Sequence, residues 1–267
     1  MSKVQQFYDK GPEYEWNRLE RHRMEFAVTM RALADYLPTP PATVLDIGGG
    51  PGRYSITLAQ QGYRTTLLDL TPNLLSLARV KAEEAGVELA GIIQGNALDL
   101  APLADASFDA VLLMGPLYHL LDEADRLQAI RESVRVLKPG GILAASFISR
   151  YASFRDSADG YPMWLVNHRE SAERILTTGI HVADEMSGFT DAYFIHPTEV
   201  CPLMEAAGLE SLDLIGVEAL VDQCEEDVNQ LTGEAFEAWV DLSYRAGKDP
   251  CLHGASSHLL WVGRRAV

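Results

Sequence analysis

The stretch Val44-Leu45-Asp46-Ile47-Gly48-Gly49-Gly50-Pro51-Gly52-Arg53 runs an apolar strand into a cluster of glycines and then into a helix. Backbone without Cβ atoms turns sharply and lets a ligand lie against the main chain at the carboxyl end of a sheet. Two phosphate-binding patterns fail here. The P-loop requires Gly-Lys-Ser/Thr, and the dinucleotide fingerprint requires a small residue where Arg53 stands.

From Thr43 to about Phe147, short apolar runs alternate with amphipathic helical segments, the pattern of a parallel sheet with crossover helices. The runs are Thr43 to Ile47, Thr65 to Leu70, Leu89 to Gln94, Phe108 to Met114 and Gly141 to Phe147. Thr71 followed by Pro72 predicts an N-cap with proline at the first helical position, and Gly86 predicts a left-handed end. Asp122 opens a further helix, with Leu127, Ile130, Val134 and Leu137 toward the sheet. Lys138-Pro139-Gly140-Gly141 then turns the chain into the fifth strand, a structural role only.

Upstream, Trp16, Leu19, Arg23, Phe26, Met30 and Leu33 recur at three- and four-residue steps, which predicts one amphipathic helix ended by Pro38, Pro40 and Pro41. Downstream of Phe147 the alternation fails for about fifty residues. There Tyr151, Phe154, Tyr161, Trp164, Phe189, Tyr193 and Phe194 are interleaved with small and polar residues, as in a segment that covers a site. A helix from Pro197 to Ala207, a strand from Glu210 to Gly216, a polar helical segment from about Glu225 to Arg245 and a strand from His258 to Arg264 complete the chain.

Composition narrows the function classes. Lys and Arg number 22 against 38 Asp and Glu, a formal net charge of −16, so the summed field repels nucleic-acid phosphates and anionic lipid headgroups. No apolar run approaches the roughly 18 to 20 residues that cross a bilayer. Met1 to Lys10 lacks the apolar core of a secretory signal, which predicts a cytoplasmic protein. Cys201, Cys224 and Cys251 form no CxxC pair, so zinc-finger and disulfide frameworks are not expected.

Asp46, Gly48, Gly50 and Gly52 form acidic-x-Gly-x-Gly-x-Gly, and with this pattern the span from Thr43 to about Ser146 resembles the class I S-adenosylmethionine-dependent methyltransferases. The resemblance implies an α/β fold with a doubly wound, seven-stranded, mostly parallel sheet. It also implies a division into an N-terminal helical lid (1–40), a cofactor-binding half (41–149), an inserted cover (150–196) and a C-terminal part with the last two strands (197–267). By the same resemblance Asp69, next to Leu70, accepts both ribose hydroxyls of the cofactor. Asn96, standing where the family commonly has Asp, accepts the adenine amino group through its amide oxygen, with the Ala97 amide at the ring and Asp99 as fallback. The Met114 backbone meets the methionine amine, Tyr14 and Arg18 face the methionine carboxylate, and Tyr118 and His119 lie near the transferred methyl.

Methyl transfer from a sulfonium is an in-line displacement, so positioning and exclusion of water come first. A base is needed only where the nucleophile must lose a proton, and His119 is the best candidate, ahead of His168, His181 and His196. No histidine pair has metal-ligand spacing, so no metal is expected. The acceptor is expected to be a small molecule bearing an O, N or S nucleophile, held by residues 150–196, where Arg155 and Arg169 are available for a carboxylate. Two other readings compete: a module that binds S-adenosylmethionine without methyl transfer, as sensor or scaffold, and a nicotinamide-binding protein.

Overall fold

The computed structural model describes residues 2–184 and 188–267. Met1 of the expected lid and residues 185–187 of the expected cover therefore lie outside the described residues. Nine strands are present among those described: β1 (Thr43–Ile47), β2 (Arg64–Asp69), β3 (Gly91–Gln94), β4 (Phe108–Leu113), β5 (Leu137–Ile148), β6 (Ile180–His181), β7 (Ala192–Tyr193), β8 (Leu209–Gly216) and β9 (His258–Arg265). Seven form one sheet in the order β3-β2-β1-β4-β5-β9-β8, and β6 pairs with β7 in a separate ribbon. Neighbours from β3 through β5 are parallel, whereas β9 runs antiparallel to both β5 and β8. The chain steps outward from β1 to β2 and β3, then returns to place β4 on the other side of β1. Strand order thus reverses between β1 and β4, which opens a crevice at their carboxyl ends.

Both sheet faces are buried, which is why the central strands read as nearly continuous apolar runs. Leu45, Val111, Leu143 and Trp261 enter one core, together with Ala129 and Ile130 of the helix Glu123–Val136. Val44, Leu112, Ala144 and Val262 enter the other, beneath the helices Arg23–Tyr36 and Gly233–Ala246. At the amino end of the sheet, Asp109 ties three elements together. Its Oδ2 accepts from Thr43 N and Thr43 Oγ1, and its Oδ1 takes Lys138 Nζ at 2.7 Å. Lys138-Pro139-Gly140-Gly141 accordingly belongs to β5 itself, with a register shift between Phe108 and Ala110, rather than preceding the strand.

The N-terminal residues differ from the single helix that spacing predicts. They form four helices, Lys3–Asp9, Pro12–Trp16, Arg18–Arg21 and Arg23–Tyr36, interrupted at Gly11, Asn17 and His22. His22, at φ −108° and ψ 64°, resets the helical phase, so spacing counted across it misassigns the face. Met24, Val28, Ala32 and Leu33 form the buried stripe, while Arg23 turns out to the carbonyls of Asn229 and Leu231. The segment from Glu225 is likewise two helices, Glu225–Asn229 and Gly233–Ala246. On the helix Glu123–Val136 the buried positions are Arg126, Ala129, Ile130, Ser133 and Val136, with the expected Val134 partly buried against the same core and Leu127 not part of it. No helix among the described residues is long and apolar enough to cross a membrane.

A buried charge network fastens the N-terminal helices to the end of the sheet. Arg18 grips Glu25 with both terminal nitrogens, at 2.6 and 2.9 Å, and its Nε donates to Glu15 at 3.2 Å. Behind Glu25, His258 Nδ1 lies 2.6 Å from Glu218 Oε1, and Glu218 Oε2 accepts from Ser256 Oγ and the His258 amide. Burial alone would push the His258 pKa down, but the carboxylates of Glu25 and Glu218 raise it to about 9. Burial would likewise raise Glu25, yet Arg18 and His258 hold it at about 2. Breaking one partner of such a cluster leaves an uncompensated buried charge.

Because the folded imidazolium has the higher pKa, its stabilisation is complete below the unfolded value near 6.5 and is lost as pH rises through about 9. The contribution is on the order of 3 kcal/mol. Thermal unfolding followed from pH 7 to 10 should show a falling midpoint, and His258→Gln should lower the midpoint at pH 7 and flatten that dependence.

Candidate cofactor and methyl-transfer site

The crevice at the carboxyl ends of β1, β2 and β4 encloses a cavity of about 340 Å³. Its floor is the loop Gly48-Gly49-Gly50, and its far wall is the 3-10 turn Pro116–His119 after β4. Ser2, Val4, Tyr8, Glu15, Arg18 and Leu19 of the N-terminal helices close over it. Packing around Gly48 and Gly49 leaves no room for side chains. A Cβ on Gly48, where φ is +72°, would lie 2.5 Å from Pro116 Cδ, and one on Gly49 would lie 2.4 Å from Asp46 Oδ2.

Asp46 sits beneath that loop, fully buried, with Oδ2 accepting from Ser55 Oγ at 2.7 Å. Burial lifts its carboxyl to about 6 despite the Ser55 bond. Asp69, at the end of β2, does line the cavity. Its Oδ2 accepts the Gly50 amide at 2.9 Å and its Oδ1 accepts the Thr71 amide at 2.8 Å. Burial raises its pKa, and those two bonds oppose the rise. The expected side-chain cap from Thr71 is absent, because its hydroxyl, like its amide, is engaged with the Asp69 carboxylate.

Of the residues expected at the cofactor, Gly48, Gly50, Asp69, Leu70, Asn96, Ala97, Met114 and Arg18 converge on this cavity, as do Tyr118 and His119. Asp46 and Gly52 do not face it. Asp46 supports the loop from below, and Gly52, with φ +85°, precedes the helix Arg53–Gln60. Tyr14 is placed elsewhere: its ring is 69% exposed and lies under the Arg21 guanidinium at 3.9 Å. Arg18 faces the cavity with all three of its nitrogens already donating to Glu15 or Glu25. Asn96 turns its Oδ1 to the Leu98 amide at 3.0 Å, an Asx turn that uses one of its two lone pairs. Asp99 is exposed, with Oδ1 on the Ala101 amide.

The covering stretch contributes less to the cavity than expected. Among the described residues of 150–196, none forms its wall. Phe189 and the Asp191 carbonyl reach it only by backing His119. Arg155 is held by Asp222 at 2.9 Å and by the Gly254 carbonyl, and Arg169 is exposed, so neither faces the site. His168 and His196 bond to the Trp164 carbonyl and to Thr198, and His181 stacks on Phe194, all outside the cavity wall.

Tyr8, Glu15 and Gly49 are cavity residues that the sequence reading leaves out. Tyr8 has no pattern to signal it, since its partner His119 is 111 positions away. The hydrogen bond between Tyr8 Oη and His119 Nε2 measures 2.9 Å, and His119 Nδ1 faces the Asp191 carbonyl at 3.4 Å. A carbonyl only accepts, so the proton is on Nδ1 and the Nε2 lone pair accepts from the tyrosine. Burial pushes the His119 pKa down to about 4, against the pull of that carbonyl. At neutral pH the ring is uncharged.

Among curated proteins, ubiquinone biosynthesis O-methyltransferases match over most of their length. That of Xylella fastidiosa is 32% identical over 208 residues, covering 78% of this chain and 74% of the relative, and that of Xanthomonas campestris gives 32%, 78% and 76%. A family profile described as a methyltransferase domain matches residues 45–145. The chain belongs to the S-adenosylmethionine-dependent methyltransferases. Solved structures carry the same fold at low identity. A methyltransferase from Methanosarcina mazei superposes with TM-score 0.59 at 21% identity, covering 88% of this chain and 97% of its own. A possible histamine N-methyltransferase from Thermotoga maritima gives 0.60 at 19%, covering 97% and 98%.

The methyltransferase therefore uses S-adenosylmethionine and releases S-adenosylhomocysteine. Its own geometry fits that group, with a glycine loop along the cavity floor, tightly packed at Gly48 and Gly49, and a carboxylate at the end of the second strand. In the methyltransferase variant Asp69→Asn, the amide nitrogen cannot accept from Gly50 or Thr71. Affinity for S-adenosylhomocysteine should fall about 10- to 100-fold, a loss of roughly 1.5 to 3 kcal/mol, as read by calorimetry on protein with unchanged circular dichroism.

Proposed function

We propose that this methyltransferase acts on an oxygen of a small molecule, with His119 as the base. The observation that carries the reading is the neutral imidazole on the cavity wall, its tautomer set by the Asp191 carbonyl and its lone pair directed away from bulk water. An alcohol or phenol must lose a proton as it is methylated, and a neutral histidine is suited to receive it. The O-methyltransferase names of the relatives support the choice of oxygen. The enclosed cavity favours a small acceptor over a polymer, and the charge of −16 disfavours a nucleic acid.

Bound S-adenosylmethionine supplies an electrophilic methyl on a positively charged sulfur. In the proposed arrangement Asp69 holds the ribose, Asn96 and Ala97 the adenine, and Gly48, Gly50 and the Met114 backbone the methionine part. Leu70 packs beside the ribose, and Tyr118 lines the methyl's side of the wall next to His119, with their rings 4.7 Å apart between centroids. Arg18 serves chiefly to fix Glu15 and Glu25, since its donors are already engaged. Tyr14 has no part in this arrangement. The first three helices act as a lid, because Tyr8, Glu15 and Arg18 come from them to the cavity.

Incubation with methyl-labelled S-adenosylmethionine and small-molecule extract should place label on an oxygen of one metabolite. His119→Ala should lower the rate by about 10²- to 10⁴-fold. For the wild type, the acidic limb of kcat/KM should fall near pH 4 to 5, since the base is lost only when the ring protonates. A variant that keeps the wild-type rate and pH profile would remove His119 from the chemistry, and label on nitrogen or sulfur would overturn the oxygen assignment.

A further inference from the structure

The single lone pair with which His119 can take a proton is already engaged. Tyr8 donates to it, and desolvation of the phenol, with Tyr118 nearby, raises its pKa well above the ordinary 10. The Tyr8 ring stands edge-on to His119 at 5.4 Å between centroids, and Phe189 packs against His119 at 5.5 Å. A phenol thus already occupies the place beside the base, and the protein itself supplies it.

The helix that carries Tyr8, Lys3–Asp9, has no buried residue of its own. Its other attachments include contacts that lie at the surface or are partly exposed: Lys3 to Asp191 at 3.1 Å, Gln5 Nε2 to the Leu70 carbonyl at 3.2 Å, Asn73 Nδ2 to the Asp9 carbonyl at 3.5 Å, and Phe7 against Phe189 at 5.9 Å. Exposed ion pairs and solvated hydrogen bonds of this kind are individually weak. Asp191 contributes twice, through its carboxylate to Lys3 and through its carbonyl to the His119 ring. The residue that orients the base therefore also anchors the helix that blocks it.

We propose that Tyr8 belongs to the acceptor site as an internal competitor: its hydroxyl holds the lone pair of His119 that an acceptor hydroxyl needs, and the acceptor takes its place when the helix Lys3–Asp9 lifts. This rests on the reading of His119 as the base. Productive binding then has two parts, displacement of the Tyr8 hydroxyl and entry of the acceptor's own. The protein without acceptor keeps its base covered, away from water.

Diethylpyrocarbonate, which acylates unprotonated histidine nitrogen, reads the availability of that lone pair without any knowledge of the acceptor. With peptide mass spectrometry at pH 7, His119 of the wild type should label at least ten times more slowly than the half-exposed His22. Tyr8→Phe, which removes only the hydroxyl, should label several-fold faster than the wild type, and Tyr8→Ala faster again, each with an unchanged thermal midpoint. Wild-type labelling as fast as that of His22, or Tyr8→Phe labelling at the wild-type rate, overturns the proposal. Failure of the methyl-transfer reading would register separately, as full activity in His119→Ala, and would leave these labelling rates as they are.

Discussion

The site depends on one desolvated carboxylate. Asp69 stands at the end of β2, and its two oxygens take the Gly50 amide from the loop after β1 and the Thr71 amide that opens the next helix. Those amides sit at turns where no regular secondary structure would satisfy them, so the carboxylate replaces a ladder bond that the chain has given up. Burial of the charge is costly, and its pKa rises accordingly; the two charge-assisted bonds recover part of that cost. The glycine loop is thereby stretched across the crevice with its backbone toward the cavity. The Gly48 amide donating to the Leu68 carbonyl at 2.7 Å pins its other end.

The same logic of saturation explains why residue type alone misjudges Arg18. A guanidinium near a carboxylate-bearing ligand invites the idea of a direct pair. In the fold its two terminal nitrogens meet Glu25 in a two-pronged contact and its Nε meets Glu15 along the edge, and the whole is backed by His258 and Glu218. The three carboxylates and two cations nearly balance inside the protein. Glu25, Glu218 and His258 also offer three metal-type donor atoms within 4.8 Å of one another, but the arginine already supplies the positive charge that such a group calls for. Here the network joins the N-terminal helices to the strand β9 at the far side of the sheet.

Much of the sheet was legible because its signals are local. Alternating apolar runs, glycines that end them and Pro72 at a helix start all act within a few residues, and β1, β2, β4, β8 and β9 lie within a residue of where those signals put them. The strand β9 could be located but not its direction, since antiparallel pairing to β5 is set by partners far along the chain. The N-terminal helices were misread for the opposite reason. Periodicity assumes an unbroken phase, and His22 interrupts it without any proline or glycine to announce the break. Within the site, backbone-built parts such as the glycine loop, Asp69 and the turn after β4 were visible. Tyr8 was not, because a short helix with no buried face carries no periodic mark and its contact with His119 exists only in three dimensions.

On the proposed reading of His119 as the base, the closed arrangement bears on how strong that base is. A general base works best when its pKa lies near the working pH, and burial holds this one at about 4, where it is always unprotonated but only weakly attracts a proton. Desolvation is the main cause, and the N-terminal helix is part of what excludes the solvent. Raising that helix re-exposes the ring and moves its pKa back toward the ordinary value near 6.5. Occupancy and basicity are therefore governed by one motion: with Tyr8 in place the imidazole is both engaged and weak, and with Tyr8 displaced it is both free and stronger. A charged lysine could not serve as a base in this position, because it would have no lone pair to offer and would repel a positively charged sulfonium bound in the same cavity. A neutral imidazole avoids both difficulties: the proton it receives goes to Nε2, across the ring from the Nδ1–H that already donates to the Asp191 carbonyl.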